Sequence, residues 1–187
     1  MRETSETSEV LTVLRREGPR WVGIDGVDGS GKSSLAALLS RELGWPHINL
    51  DDYVEQNMGQ FVEHLHYDDV RDILNKANEP IIIEGVCLLA VLERLEQRLD
   101  LLIYVKKVAS YGMWYDEDDC AVSGDIDDFM NEKREKLQKF VEMEALMNSE
   151  EPQTDVEFPK LAEEIIRYHY KYRPHEKADI VYIRVDR

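Results

Sequence analysis

The sequence predicts a three-layer α/β domain built on a five-stranded parallel sheet. Two observations carry this. The strand-like segments are continuous apolar runs with no inside–outside alternation, the mark of strands covered on both faces. They also alternate with segments of helical period, which calls for crossover helices on the two sides of one sheet. At 187 residues, 43% of them hydrophobic, the chain is long enough for one sizeable core, so residues 1–187 are expected to form a single domain.

Residues 1–9 are polar and acidic and read as a flexible tail, and Val10 to Arg16 as a short helix closed by Gly18-Pro19. Trp21-Val22-Gly23-Ile24-Asp25 is a buried strand that runs directly into glycines. Leu35, Leu38, Leu39 and Leu43 recur at helical spacing, giving a helix from Lys32 to just before Gly44. His47 to Leu50 is a second short strand. Val70, Ile73 and Leu74 mark a helix stopped by Asn78 and Pro80. Ile81-Ile82-Ile83-Glu84 is a strand, Leu88 to Leu99 a helix, and Leu101 to Val105 a strand again. The highly charged stretch 110–151 holds an acidic knot at Asp116 to Asp119 and a helical run from Asp127 to Met147, and reads as a lid-like helical insertion. Leu161 to Tyr172 is the last helix and Asp179 to Val185 the last strand.

The formal net charge of −16, from 23 basic and 39 acidic residues, disfavours nucleic acid and anionic membrane surface as partners. Cys87 and Cys120 belong to no CxxC or zinc-spaced cluster, and the N-terminal residues show neither a basic stretch nor an apolar one. With no apolar run near the roughly 20 residues of a membrane helix, a reducing, cytoplasmic setting is expected.

Gly26-Val27-Asp28-Gly29-Ser30-Gly31-Lys32-Ser33 is a GxxxxGK[ST] segment with a strand before it and a helix after it. Glycines let the backbone wrap closely and aim N–H groups inward, and the next helix adds the positive end of its dipole. The segment, with Ser34 after it, is therefore expected to cradle the phosphates of ATP. Lys32 would reach the terminal phosphates, and the Ser33 hydroxyl would ligate Mg2+. A GTPase reading lacks its DxxG outside the cradle and its NKxD, which leaves a small kinase.

In such a kinase acceptor and ATP meet above the C-terminal ends of the strands, where Asp51 and Glu84 stand. Asp51 suits the carboxylate that takes the acceptor hydroxyl's proton, and Glu84 the one that organises magnesium, with Asp51 a further magnesium candidate. Asp52 can exchange roles with Asp51, and either carboxylate can instead be a helix cap. Between Arg41 and Arg94 only Arg71 is available to fork a phosphate, while Asp51, Tyr53, Tyr67 and Asp68 can grip hydroxyls and stack on a flat ring. A small hydroxylated acceptor, nucleoside-like, is expected. A sugar, a pantothenate-like acid or an antibiotic is the alternative within enzymes, and an ATP-binding regulatory protein with little transfer the alternative outside them.

These residues resemble the uridine kinase-like family, which includes the nicotinamide riboside kinases. Asp51-Asp52-Tyr53 is similar to that family's Asp-Asp-Phe-Phe, whose first Asp is the catalytic base. Tyr67-Asp68 resembles its ribose-binding segment, and Ile81 to Gly85 its strand ending in Glu-Gly. Tyr170 to Pro174 with Ala178 to Val181 looks like its final helix and strand. The resemblance implies the strand order 2-3-1-4-5, transfer of the γ-phosphate to a hydroxyl, and an adenine site near Pro174 to Lys177. The lid departs from the family. After the fourth strand come Lys106 and Lys107 and no arginine until Arg134, so Lys106, Lys107, Lys133 and Arg134 are the candidate lid cations.

Overall fold

A computed structural model describes residues 1–55, 58–77, 80–148 and 155–186. Asn78, expected to stop a helix, and the end of the 110–151 stretch lie outside the described residues.

In chain order the elements are β1 (Arg2–Thr4), α1 (Thr7–Glu17), β2 (Trp21–Asp25), α2 (Lys32–Leu43), β3 (His47–Asn49), a 3-10 turn (Leu50–Tyr53), α3 (Tyr67–Lys76), β4 (Ile81–Glu84) and α4 (Leu88–Leu95). Then come β5 (Leu101–Val108), α5 (Glu117–Cys120), α6 (Ile126–Asn148), α7 (Lys160–Tyr172), α8 (Pro174–Lys177) and β6 (Ile180–Val185). All sheet pairings are parallel, in the order β1-β6-β5-β2-β4-β3. The five expected strands hold the expected order, and helices cover both faces.

The sheet has six strands, not five. Arg2–Thr4, expected as part of a flexible tail over 1–9, pairs with β6 at the edge, Arg2 against Ile180 and Thr4 against Tyr182. Nothing apolar announces this strand; the open edge of β6 supplies its partner, and Thr4 Oγ1 accepts the Glu6 N–H at 3.0 Å to lead into α1. The helix after β4 ends at Leu95, short of Leu99, because Glu96 turns into the left-handed region. Leu99 then folds back onto the sheet. A Cβ on Gly23 would stand 2.3 Å from Leu99 Cδ1, so glycine is what lets this leucine close over β2.

The core follows from the central strands. Ile81, Ile82 and Ile83 are all fully buried, with Ile82 facing α1 and α2 and its neighbours facing the α4 side. Burying both faces takes most of a strand's apolar surface from water, at about 25 cal/mol per Å². A smaller cluster of Val122, Met130 and Ile166 ties α6 to α7. Among the described residues no helix is long and apolar enough to cross a membrane.

Candidate functional site

β2 delivers the chain to the glycine-rich turn at the C-terminal edge of the sheet. Gly26, Gly29 and Gly31 have φ of 158°, 68° and 97°, the last two in the region L side chains avoid. A Cβ on Gly26 would meet Ser30 Oγ at 2.8 Å and the Val105 carbonyl at 2.9 Å, so the turn can wrap this tightly only with glycine there. Lys32, first residue of α2, is buried, and its Nζ makes one long bond, 3.4 Å, to the Val27 carbonyl. An ammonium has three donors. Ser30 Oγ is buried without a hydrogen-bond partner, while the Ser33 and Ser34 side chains are exposed at the start of α2.

Glu84 ends β4 beside Asn49 of β3 and is fully buried, yet neither carboxylate oxygen has a hydrogen-bond partner. His47 Nε2, at 3.6 Å, is beyond bonding distance. A buried carboxylate left in this way is costly unless a cation or bound water completes it. Asp51 is the second residue of the 3-10 turn just after β3, where Asn49 Oδ1 accepts its N–H at 3.0 Å. Lost hydration raises the Asp51 pKa; Lys32 pulls it down, and Glu84, Asp28 and Asp52 push it up. Asp51 thus lies within electrostatic reach of both Lys32 and Glu84 at the mouth of the turn.

These features fit a magnesium-bound triphosphate. The space beside Gly29 is open, and Lys32 and Ser30 have unused hydrogen-bonding capacity. Among the described residues no three His, Cys, Asp or Glu side chains converge as a metal cage. Magnesium keeps its waters and takes one or two protein ligands plus phosphate oxygens; Ser33, Asp51 and Glu84 are the residues that would hold it.

Asp25, which the sequence reading passed over as the last residue of a strand, is fully buried directly beneath the turn. One of its oxygens accepts the Gly26 N–H at 2.7 Å and the other accepts the Tyr168 hydroxyl of α7. Burial raises its pKa to about 7, against the lowering effects of Tyr168, Gly26 and Lys32. A carboxylate closing an apolar strand was the same signal that singled out Glu84. Tyr168 Oη also accepts the Leu89 N–H at 3.1 Å, so one hydroxyl joins the turn, α4 and α7.

Tyr168 is also in the wall of a cavity of about 630 Å³ between α4, α7, the start of α6 and the segment around Gln60 to Glu63. Arg94, Arg134, Lys160, Arg167 and Lys171 line it, against four glutamates. Glu164 accepts the backbone N–H groups of Phe61 and Val62, and Glu163 is shared by Arg134, at 2.8 and 2.9 Å, and Arg167 at 2.8 Å. In a chain of net charge −16 this wall is a local exception.

The expected acceptor and lid residues fare unevenly. Of the lid cations, Arg134 reaches the cavity wall. Lys106 lies 3.8 Å from Glu3 and over the Trp114 ring, Lys107 lies 3.3 Å from Asp186, and Lys133 pairs with Asp119. Tyr67 and Asp68 do not line the cavity: the Tyr67 hydroxyl donates to the Val62 carbonyl at 2.7 Å, and Asp68 is wholly exposed beside Arg71 at 3.0 Å. Tyr53 is half-buried against the core. Pro174–Lys177, offered for the adenine, precedes β6. Its Lys177 lies with Leu102 and Asp179 where β5 and β6 begin, at the edge of the sheet away from the turn.

Parallel sheet, helices on both faces and the glycine-rich turn between β2 and α2 together define an α/β P-loop fold. A family model for shikimate kinase matches residues 28–72, from the turn to the first half of α3. The shikimate kinase of Dehalococcoides mccartyi is 30% identical over 66 residues, covering 35% of this chain and 37% of that protein. The chain thus matches little more than a third of that relative's length. Among solved structures, a possible uridine kinase from Bacillus stearothermophilus superposes with a TM-score of 0.49 at 17% identity, over 94% of this chain and 96% of the other. Shikimate kinase from Aquifex aeolicus gives 0.40 at 15%, over 86% and 84%. The Bacteroides thetaiotaomicron enzyme gives 0.39 at 18%, over 87% and 85%. At such scores these likenesses add nothing to the sheet order and turn, which define the fold by themselves. The matching family model is that of shikimate kinases, not uridine kinases; P-loop kinase is the description both share.

Proposed function

We propose that this chain is an ATP-dependent kinase that transfers the γ-phosphate to a hydroxyl of a small acceptor seated in the 630 Å³ cavity. The observation that carries it is that the segment leaving β2 and the end of the adjacent strand β4 bury two groups short of partners: the P-loop's Lys32, with one long bond to the Val27 carbonyl, and the carboxylate of Glu84, with no hydrogen bond. Asp51 takes the acceptor's proton as its oxygen bonds to the γ-phosphorus, and the bond from that phosphorus to the β–γ bridging oxygen breaks, releasing ADP. Lys32 follows the charge that grows on the β-side oxygen. Magnesium, held through Ser33 and Glu84 or Asp51, would neutralise phosphate charge. Arg134, held by Glu163 at the cavity wall, faces the acceptor.

The acceptor that fits best is a hydroxylated carboxylic acid of the shikimate type. The cations of the cavity wall suit its carboxylate, and the shikimate kinase match over residues 28–72 agrees with it. A nucleoside-like acceptor is the second reading, favoured by the Tyr168 and Tyr172 rings, 5.1 Å apart in the same wall, on which a base can stack.

The test is incubation with MgATP and a panel of hydroxy acids, nucleosides, sugars, pantothenate-like acids and aminoglycosides, read by ADP release and phosphorus NMR of the product. Phosphorylation of a hydroxy acid, reduced about 10²- to 10⁴-fold in Asp51→Asn while MgADP still binds, is the expected outcome. Nucleotide binding with no acceptor phosphorylated would overturn it in favour of a regulatory ATP-binding protein.

A further inference from the structure

A cation besides Lys32 is needed along the phosphate chain, yet Lys106, Lys107 and Arg134 are engaged with Glu3, Asp186 and Glu163. The other end of the chain offers one. Arg184 lies on β6 opposite Lys107 of β5, and its side chain runs back across the sheet onto the phosphate-binding turn. Its Nη1 donates to the Gly29 carbonyl at 3.2 Å, and a Cβ on Gly31 would stand 2.6 Å from Nη1 and 2.8 Å from Cδ. Gly31 therefore serves twice, adopting a left-handed backbone and leaving the space the guanidinium fills. Asp186 forms an ion pair with it at 3.9 Å, too long for a hydrogen bond, so most of the five guanidinium donors stay open at a partly exposed site.

The sheet order says which part of a nucleotide it faces. Asp51 and Glu84 close the β3 and β4 side of the turn, and Arg184 stands on the β6 side. The P-loop lysine serves the β- and γ-phosphates, and the γ-phosphate must point toward the carboxylates. The α-phosphate end then lies toward β5 and β6. We propose that Arg184 is a nucleotide-binding residue, braced on the Gly29 carbonyl and donating to the α-phosphate end of bound ADP or ATP. This rests on the ATP-binding half of the function proposed above and not on the acceptor.

The experiment is calorimetric titration of the full chain with MgADP, for the wild type, Arg184→Gln and Arg184→Lys, beside the melting temperature of each protein without nucleotide. A charge-assisted contact predicts an affinity about ten- to a hundredfold weaker in Arg184→Gln, partial recovery in Arg184→Lys, and unchanged nucleotide-free melting. Unchanged MgADP affinity in Arg184→Gln overturns the proposal. So does a loss matched by a lower nucleotide-free melting temperature and not recovered by lysine, since Arg184 would then only brace the turn. A wild type that binds no MgADP refutes the P-loop reading itself, whereas a wild type that binds and phosphorylates nothing refutes only the kinase.

Discussion

Asp25→Asn should make the protein more stable at neutral pH and flatten its response to pH. In the unfolded chain this carboxyl titrates at its ordinary 3.8, whereas burial in the fold holds it near 7. Between those values the folded state binds the extra proton, so stability falls as pH rises through the window and levels off above it. Three units at 1.36 kcal/mol each amount to about 4 kcal/mol, an upper figure that is still a large share of the 5–15 kcal/mol typical of a domain. Asparagine keeps an oxygen for the Gly26 N–H and an amide for the Tyr168 oxygen, and carries no charge to bury. Urea unfolding of both proteins at pH 4.5, 6 and 8 is the assay. Other groups act on the profile too: His169, held down to about 4 by burial, costs stability as pH falls from 6.5. Such groups are common to both proteins, so the difference between them isolates Asp25. The Asn variant should gain on the wild type with rising pH, reaching a plateau near pH 8. Parallel profiles would refute the buried, proton-holding carboxyl.

Lys32→Ala should reduce phosphoryl transfer at least about 10²-fold by removing the charge at the β- and γ-phosphates, measured as initial rate on the acceptor found; an unchanged rate would remove Lys32 from the site. Ile83→Ala, in the fully buried β4, should cost about 2–5 kcal/mol in urea unfolding. Arg134→Ala should raise KM for an anionic acceptor more than for ATP, as steady-state kinetics would show, because Arg134 lines the cavity and not the P-loop.

What the sequence determined by itself is whatever local chemistry determines. The strands β2, β4 and β5 are runs whose apolar side chains must be covered on both faces, and the glycine spacing of residues 26–33 admits few backbone paths other than a phosphate-binding turn. Asp51 and Glu84 stood out as candidates because one follows a strand and the other ends one. Tertiary structure decided the rest, since it depends on partners far apart in the chain. β1 exists because β6 offers an open edge, not because Arg2-Glu3-Thr4 favours a strand. Lys160, Arg167 and Lys171 share one face of α7 by helical spacing, but Arg94 of α4 and Arg134 of α6 join them in the cavity only through the packing of the three helices. Asp25 became a proton-holding group only through burial in the packed fold, against the hydrogen bond donated by Tyr168, 143 residues away. Periodicity and motif report what a segment must bury or wrap; which distant side chain completes it is set by how the layers pack.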